Sequence, residues 1–180
     1  MRRGILIVLF ALTFGAGNLF AALAPSQMPQ PGPELKRLGY FVGKWHSDGE
    51  LKPGPFGPGG KFTESQDAQW MPGGFFLIIH ADEQSPMGSG KALMIMGYDS
   101  EKKAYTFSAF NSMGQNEVAT GMVEGNTWTW QSDSVMGGKQ VKTKYTMKEQ
   151  SPTSYTTKFE MSSEGGPWAT IMEGTTTKAK

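Results

Sequence analysis

The chain of 180 residues contains no cysteine. That absence removes disulfide staples, zinc–thiolate sites, iron–sulfur clusters, thiol nucleophiles and a lipidated cysteine anchor. Histidine is nearly as scarce, with only His46 and His80 available as imidazole ligands or bases. An excess of one charge is also missing: 17 basic side chains stand against 16 acidic ones, so there is no electrostatic footprint for nucleic acid. Catalytic signatures fail on inspection. "GSGKAL" at 88–93 ends like a phosphate loop, but Ala92 replaces the required Ser or Thr, and Ser85 stands where the first glycine belongs. No Gly-x-Ser-x-Gly elbow is present. No catalytic residue, resident cofactor or metal set follows, and the sequence favours a binding protein over an enzyme.

The longest apolar run stands at the N-terminus. Met1-Arg2-Arg3, the stretch Gly4 to Phe14, and the small residues ending Ala22-Leu23-Ala24 have the order of a secretory signal. The expectation is a signal peptide over 1–24, cleaved after Ala22 or Ala24, and a bacterial protein exported to the periplasm or secreted. The alternative is a retained anchor, since the run is nearly long enough to span and Pro25 is a poor residue after a cleavage point. Without Arg2 and Arg3, 15 basic groups face 16 acidic ones, a net of −1. "APSQMPQPGP", 24–33, is proline-rich and reads as a flexible lead-in. One domain over 34–178 is long enough to bury a core without staples.

A short helical turn is expected at Glu34–Leu38, just after Pro33, with Leu35 and Leu38 on one side to plug the end of a barrel. Beyond Phe41 no helical period persists. Turn signals recur instead at Pro72-Gly73-Gly74, Pro86-Met87-Gly88, Asp99-Ser100, Met113-Gly114, Gly125-Asn126, Gly137-Gly138, Ser151-Pro152 and Gly165-Gly166-Pro167. With "KPGPFGPGGK" as a longer first loop, they divide the chain into about ten strands. Val141, Thr143, Tyr145 and Met147 alternate with Lys142, Lys144 and Lys148, and Tyr155, Thr157, Phe159 and Met161 alternate with Thr156, Lys158, Glu160 and Ser162. One face therefore packs inward and the other meets water. Closing such a meander removes its edges, so the expected fold is all-β, an antiparallel up-and-down β-barrel with a short N-terminal helical turn. A lipid-facing exterior is disfavoured, because each mid-strand lysine there costs roughly 2–4 kcal/mol near the bilayer midplane. No stable membrane insertion is expected once the signal is removed.

In the first strand, pleating places Phe41, Gly43, Trp45, Ser47 and Leu51 on the inner face and His46 on the outer one. The helix followed by Gly43-Lys44-Trp45 and a meander resembles the lipocalin-like (calycin) barrels, with the departure that no late arginine can cover the tryptophan: Arg37 is the last in the chain. "LGYFVGKWHSDGEL", "WMPGGFFLIIHAD", "IMGYDSEKKAYTFSAFNSMG" and "GNTWTWQSD" resemble the bacterial domain of unknown function 1579 family over residues 34–177. The resemblance implies a barrel, and it brings no assigned activity from which catalytic residues could be carried over. Nitrobindin-like haem barrels share the Gly-x-Trp opening but take iron from a histidine near the C-terminus. This chain has no histidine after His80, so a haem reading would need Met147, Met161, Met172 or Tyr155 as ligand.

The interior candidates for binding a small apolar molecule are Trp45, Trp70, Phe75, Tyr145, Phe159 and Trp168, with Glu64 and Gln66 as polar groups on the Trp70 face of the second strand. Soft side chains at Met94, Met96, Met122, Met147, Met161 and Met172 fall on strand positions and would fill a core or line a cavity. His46 and His80 each have an aspartate two residues on, yet they alternate with charge and read as surface groups. The competing readings are an isomerase or hydrolase pairing Glu64 with His80, and a filled barrel that acts through its exterior.

Overall fold

The computed structural model describes residues 29–54 and 57–179. Helix α1 (Pro33–Leu38) and a 3-10 turn (Gly39–Phe41) lead into ten strands: β1 (Gly43–Leu51), β2 (Gly60–Trp70), β3 (Leu77–Ser85), β4 (Gly88–Asp99), β5 (Ala104–Asn111), β6 (Asn116–Glu124), β7 (Thr127–Met136), β8 (Lys139–Ser151), β9 (Ser154–Ser163) and β10 (Ala169–Lys178). Each strand pairs antiparallel with its neighbour, and β1 closes on β10 through the register Trp45↔Lys178 to Leu51↔Met172. The barrel is an up-and-down meander, and every turn signal read from the sequence lies in or beside a connection between strands. The expected signal peptide and the first part of the lead-in lie outside the described residues. None of the described helices is long and apolar enough to cross a membrane.

The two ends differ. Pro33 starts α1 where a missing N–H costs nothing, and Leu35 and Leu38 are buried beneath it. They cap the end made by the 70–77, 99–104, 124–127 and 151–154 connections. Arg37 fastens the cap: its guanidinium lies 2.6 Å from Glu149, reaches the Gly125 carbonyl at 3.2 Å and sits 5.1 Å from the Trp128 ring centroid. The Tyr40 hydroxyl lies 2.8 Å and 2.9 Å from the carbonyls of Ser151 and Ser154. Burial first, and then the Glu149 carboxylate, push that phenol up to about 12, so it stays a donor. The opposite end, bounded by the turns at 86–87, 112–115 and 137–138, carries no helix among the described residues.

Beneath the cap the core is aromatic. Phe41 meets Trp128 at 5.2 Å and Tyr155 at 5.7 Å, Trp45 meets Tyr155 at 5.1 Å, and Tyr105 meets Trp128 at 4.9 Å. Such edge and tilted pairs contribute about 0.5–1.5 kcal/mol each beyond the area they bury. Trp45 is buried and donates to the Phe41 carbonyl at 2.8 Å. The missing late arginine has a substitute: Lys178, at the end of β10, holds its ammonium 5.1 Å from the Trp45 ring centroid. Gly43 makes room for it, with φ +113 and a Cβ position only 3.0 Å from Lys178 Cε.

Candidate functional site

Pleating sends alternate residues of every strand into the lumen. Near the capped end these are large rings that meet across the axis. Toward the uncapped end they leave a hollow of about 250 Å³, floored by Phe41, Ile79, Met96 and Trp130 and walled by Phe62, Met94, Phe107, Tyr145, Phe159 and Met172. Glu64, Gln66, Glu83 and Glu117 supply polar groups beside the hydroxyls of Ser47, Thr143 and Thr157, and no lysine, arginine or histidine is among its described lining residues.

The polar groups form two sets. On β9 and β2, the Tyr155 hydroxyl lies 3.4 Å from Gln66 Oε1, and Gln66 Nε2 donates to the Glu64 carboxylate. Glu64 in turn stands directly across the ladder from Glu83 on β3. Burial, opposed by the Gln66 donor and reinforced by the Glu83 charge, raises the Glu64 carboxyl above its ordinary range. On β6–β8, Glu117 accepts from Ser132 Oγ and Thr143 Oγ1, both at 2.9 Å. Burial also raises the phenols of Tyr145 and Tyr155, so both remain neutral donors.

Of the eight side chains singled out from the sequence, Glu64, Gln66, Tyr145 and Phe159 line the hollow. Trp45 belongs to the buried core cluster, Trp70 and Phe75 are half-buried against that cluster, and none of the three lines the hollow. Trp168 requires a correction. It precedes β10 in the 164–168 connection, is 43% exposed and lies outside the barrel, with the Lys144 ammonium 4.6 Å from its ring. The connection folds back over the outer face, as the 2.6 Å bond from Ser162 Oγ to the Gly166 carbonyl shows, so strand phase does not govern Trp168. Met122 also points outward, at 59% exposure. Both histidines are exposed on the outer face: His46 lies 3.5 Å from Asp48, and His80 stands opposite Asp67 on the ladder. Glu64 faces inward, so the barrel wall separates it from His80 and the acid–base pair does not form.

Glu83 and Glu117 were missed. Glu83 shares the phase of Leu77, Ile79 and Ala81, all buried, which was its available signal. Glu117 had a misleading one, because on β6 it shares the inward phase with Ala119, Gly121 and Val123 while Val118 and Met122 face out, so neither face reads as clearly apolar.

The family model described as "Protein of unknown function (DUF1579)" matches residues 30–178. The chain belongs to this family. Its fold is shared with Rv2717c from M. tuberculosis, at TM-score 0.58 and 13% identity, covering 84% of this chain and 100% of that one. The S-type phycobiliprotein lyase CPES from Guillardia theta is similar at TM-score 0.54 and 10% identity, covering 81% and 92%. At these identities the likeness is one of fold. A comparison with curated proteins finds no match.

Proposed function

We propose that this DUF1579 barrel binds a small, largely apolar molecule in its lumen. The observation that carries the reading is the hollow of about 250 Å³ walled by aromatic rings and methionines, because a barrel of this strand number can also be packed solid. Glu64, Gln66, Tyr145 and Phe159 are the binding residues, with Trp130 and Phe41 as the floor. Trp45, Trp70 and Phe75 support that floor from beneath. Separation of Glu64 from His80 favours binding over acid–base catalysis. The reading includes export to the periplasm or beyond, on the strength of the Met1–Ala24 leader, and the mass of the mature chain from its native cell tests that part.

The test of binding uses (6-methoxynaphthalen-2-yl)methanol, a neutral fluorescent probe, titrated into the parent and into Ala109→Trp, whose indole would occupy the hollow that Ala109 lines. Saturable binding to the parent, lost in a variant with parental circular dichroism, is the expected result. Equal binding by both would place the probe elsewhere and overturn the reading.

A further inference from the structure

We infer that the ligand of this cavity is an amine: an apolar, ring-sized body carrying a positively charged nitrogen held at the mouth by Glu64 and Glu83. The inference rests on the apolar-ligand reading above and adds the charge and the polarity of the molecule bound.

The argument begins with unbalanced charge. Several carboxylates on the outer face have lysine partners: Asp82 pairs with Lys91, Glu160 with Lys144 and Lys158, and Glu173 with Lys52. Those lining the hollow have no cationic partner among the described residues. Glu64 has the neutral amide of Gln66, and the Glu83 carboxylate has no hydrogen-bond or ion-pair partner among the described side chains. The two are directly opposed on neighbouring strands, an arrangement that destabilises a sheet when both carry charge. Among the described residues no basic side chain lines the hollow to relieve it, whereas the hydroxyls of Ser132 and Thr143 already serve Glu117. A cation entering between Glu64 and Glu83 would remove the repulsion and gain two charge-assisted hydrogen bonds. The adjacent rings of Phe62, Tyr145 and Phe159 add faces that attract a cation. An anionic ligand meets the reverse at every point.

A second observation comes from the floor. Trp130 lines the hollow and is 3% exposed, and its indole N–H has no acceptor among the described residues. Buried donors are ordinarily satisfied. A ligand that brings an acceptor atom to the floor supplies what the protein lacks, and so the occupant is polar at both ends: a cation at the mouth, an ether, hydroxyl or carbonyl oxygen below, and apolar surface between.

The test compares three probes that share one body and one deep acceptor. These are (6-methoxynaphthalen-2-yl)methanamine, the corresponding methanol, and 6-methoxy-2-naphthoate, each titrated by calorimetry into the parent and into the double variant Glu64→Gln/Glu83→Gln, whose amides keep the shape. The parent is expected to bind the amine roughly tenfold or more tighter than the alcohol, the scale of a hydrogen bond to a charged group, with the naphthoate weakest. In the double variant the amine should lose that advantage over the alcohol. Alcohol and amine bound alike by the parent, or a preference that survives the double variant, would overturn the inference and leave the apolar-ligand reading standing. Failure of all three to bind would overturn that reading, and the inference with it.

Discussion

Gly121 offers the sharpest perturbation of the cavity floor. It lies on the inner face of β6 opposite Trp130, and a Cβ placed there would stand 2.4 Å from Trp130 Cε3 and 2.7 Å from Cζ3. Carbon atoms rest at about 3.5–4.0 Å, so in Gly121→Ala the indole must move by about 1 Å or more. Phe107, 5.6 Å away, and the stacked Trp128, 6.2 Å away, stand against it on two sides, leaving the hollow as its way out. Gly121 has no positive φ, so alanine meets no backbone strain, and its effect on the unfolded chain favours folding by about 0.4–1 kcal/mol. Overpacking of this kind costs about 1–3 kcal/mol, which leaves a net loss of up to about 2.5 kcal/mol. At about 2–4 °C per kcal/mol for a chain of this size, Tm should fall by several degrees in a circular-dichroism melt, and probe affinity should fall with it. Trp130→Leu should relieve the clash, so that alanine at 121 costs less in that background than in the parent. A Gly121→Ala protein that melts and binds like the parent would refute the packing argument.

Further perturbations read other parts of the fold. Leu38→Ala, at a fully buried position under the cap, should cost about 2–5 kcal/mol in denaturant unfolding, and a loss well below that range would mean that α1 is a loose appendage. Gly43→Ala forces a side chain into a left-handed backbone conformation against Lys178 and should cost about 1–3 kcal/mol, with loss of the near-ultraviolet dichroism of Trp45. For Glu64, burial raises the folded-state value, so its contribution to stability is present in full below the ordinary glutamate value and is lost as pH rises through the raised one. Glu64→Gln should therefore gain Tm relative to the parent as pH rises from about 4 toward neutrality, and a difference that stays constant across that range would contradict the assignment.

Strand phase was readable in the sequence wherever apolar and charged residues alternated cleanly, as in Val141–Lys148 and Tyr155–Glu160. The turn residues fixed where each strand ended, because glycine and proline act through the backbone alone. Depth along the barrel axis was not readable. A period of two separates inside from outside but does not say whether an inward ring lies under the cap, like Trp45 and Trp70, or beside the hollow, like Tyr145 and Phe159. Trp168 sits in a connection, where no phase applies. On β6 the pattern itself is mixed, with Glu117 inside beside Ala119 and Val123, and Val118 and Met122 outside, and binary patterning fails where the lumen holds polar groups. Glu83 and Glu117 emerge only when the strands are closed around one space.

The central claim is that the lumen is a binding site. Its most direct test is native mass spectrometry of the full protein purified under mild conditions from the cell that makes it. A reproducible added mass that survives gentle ionisation and disappears on denaturation is the predicted result, and the parity and fragmentation of that mass should identify a nitrogen-bearing molecule. A chain that carries no added mass, even after incubation with an extract of its own cells, would contradict the claim.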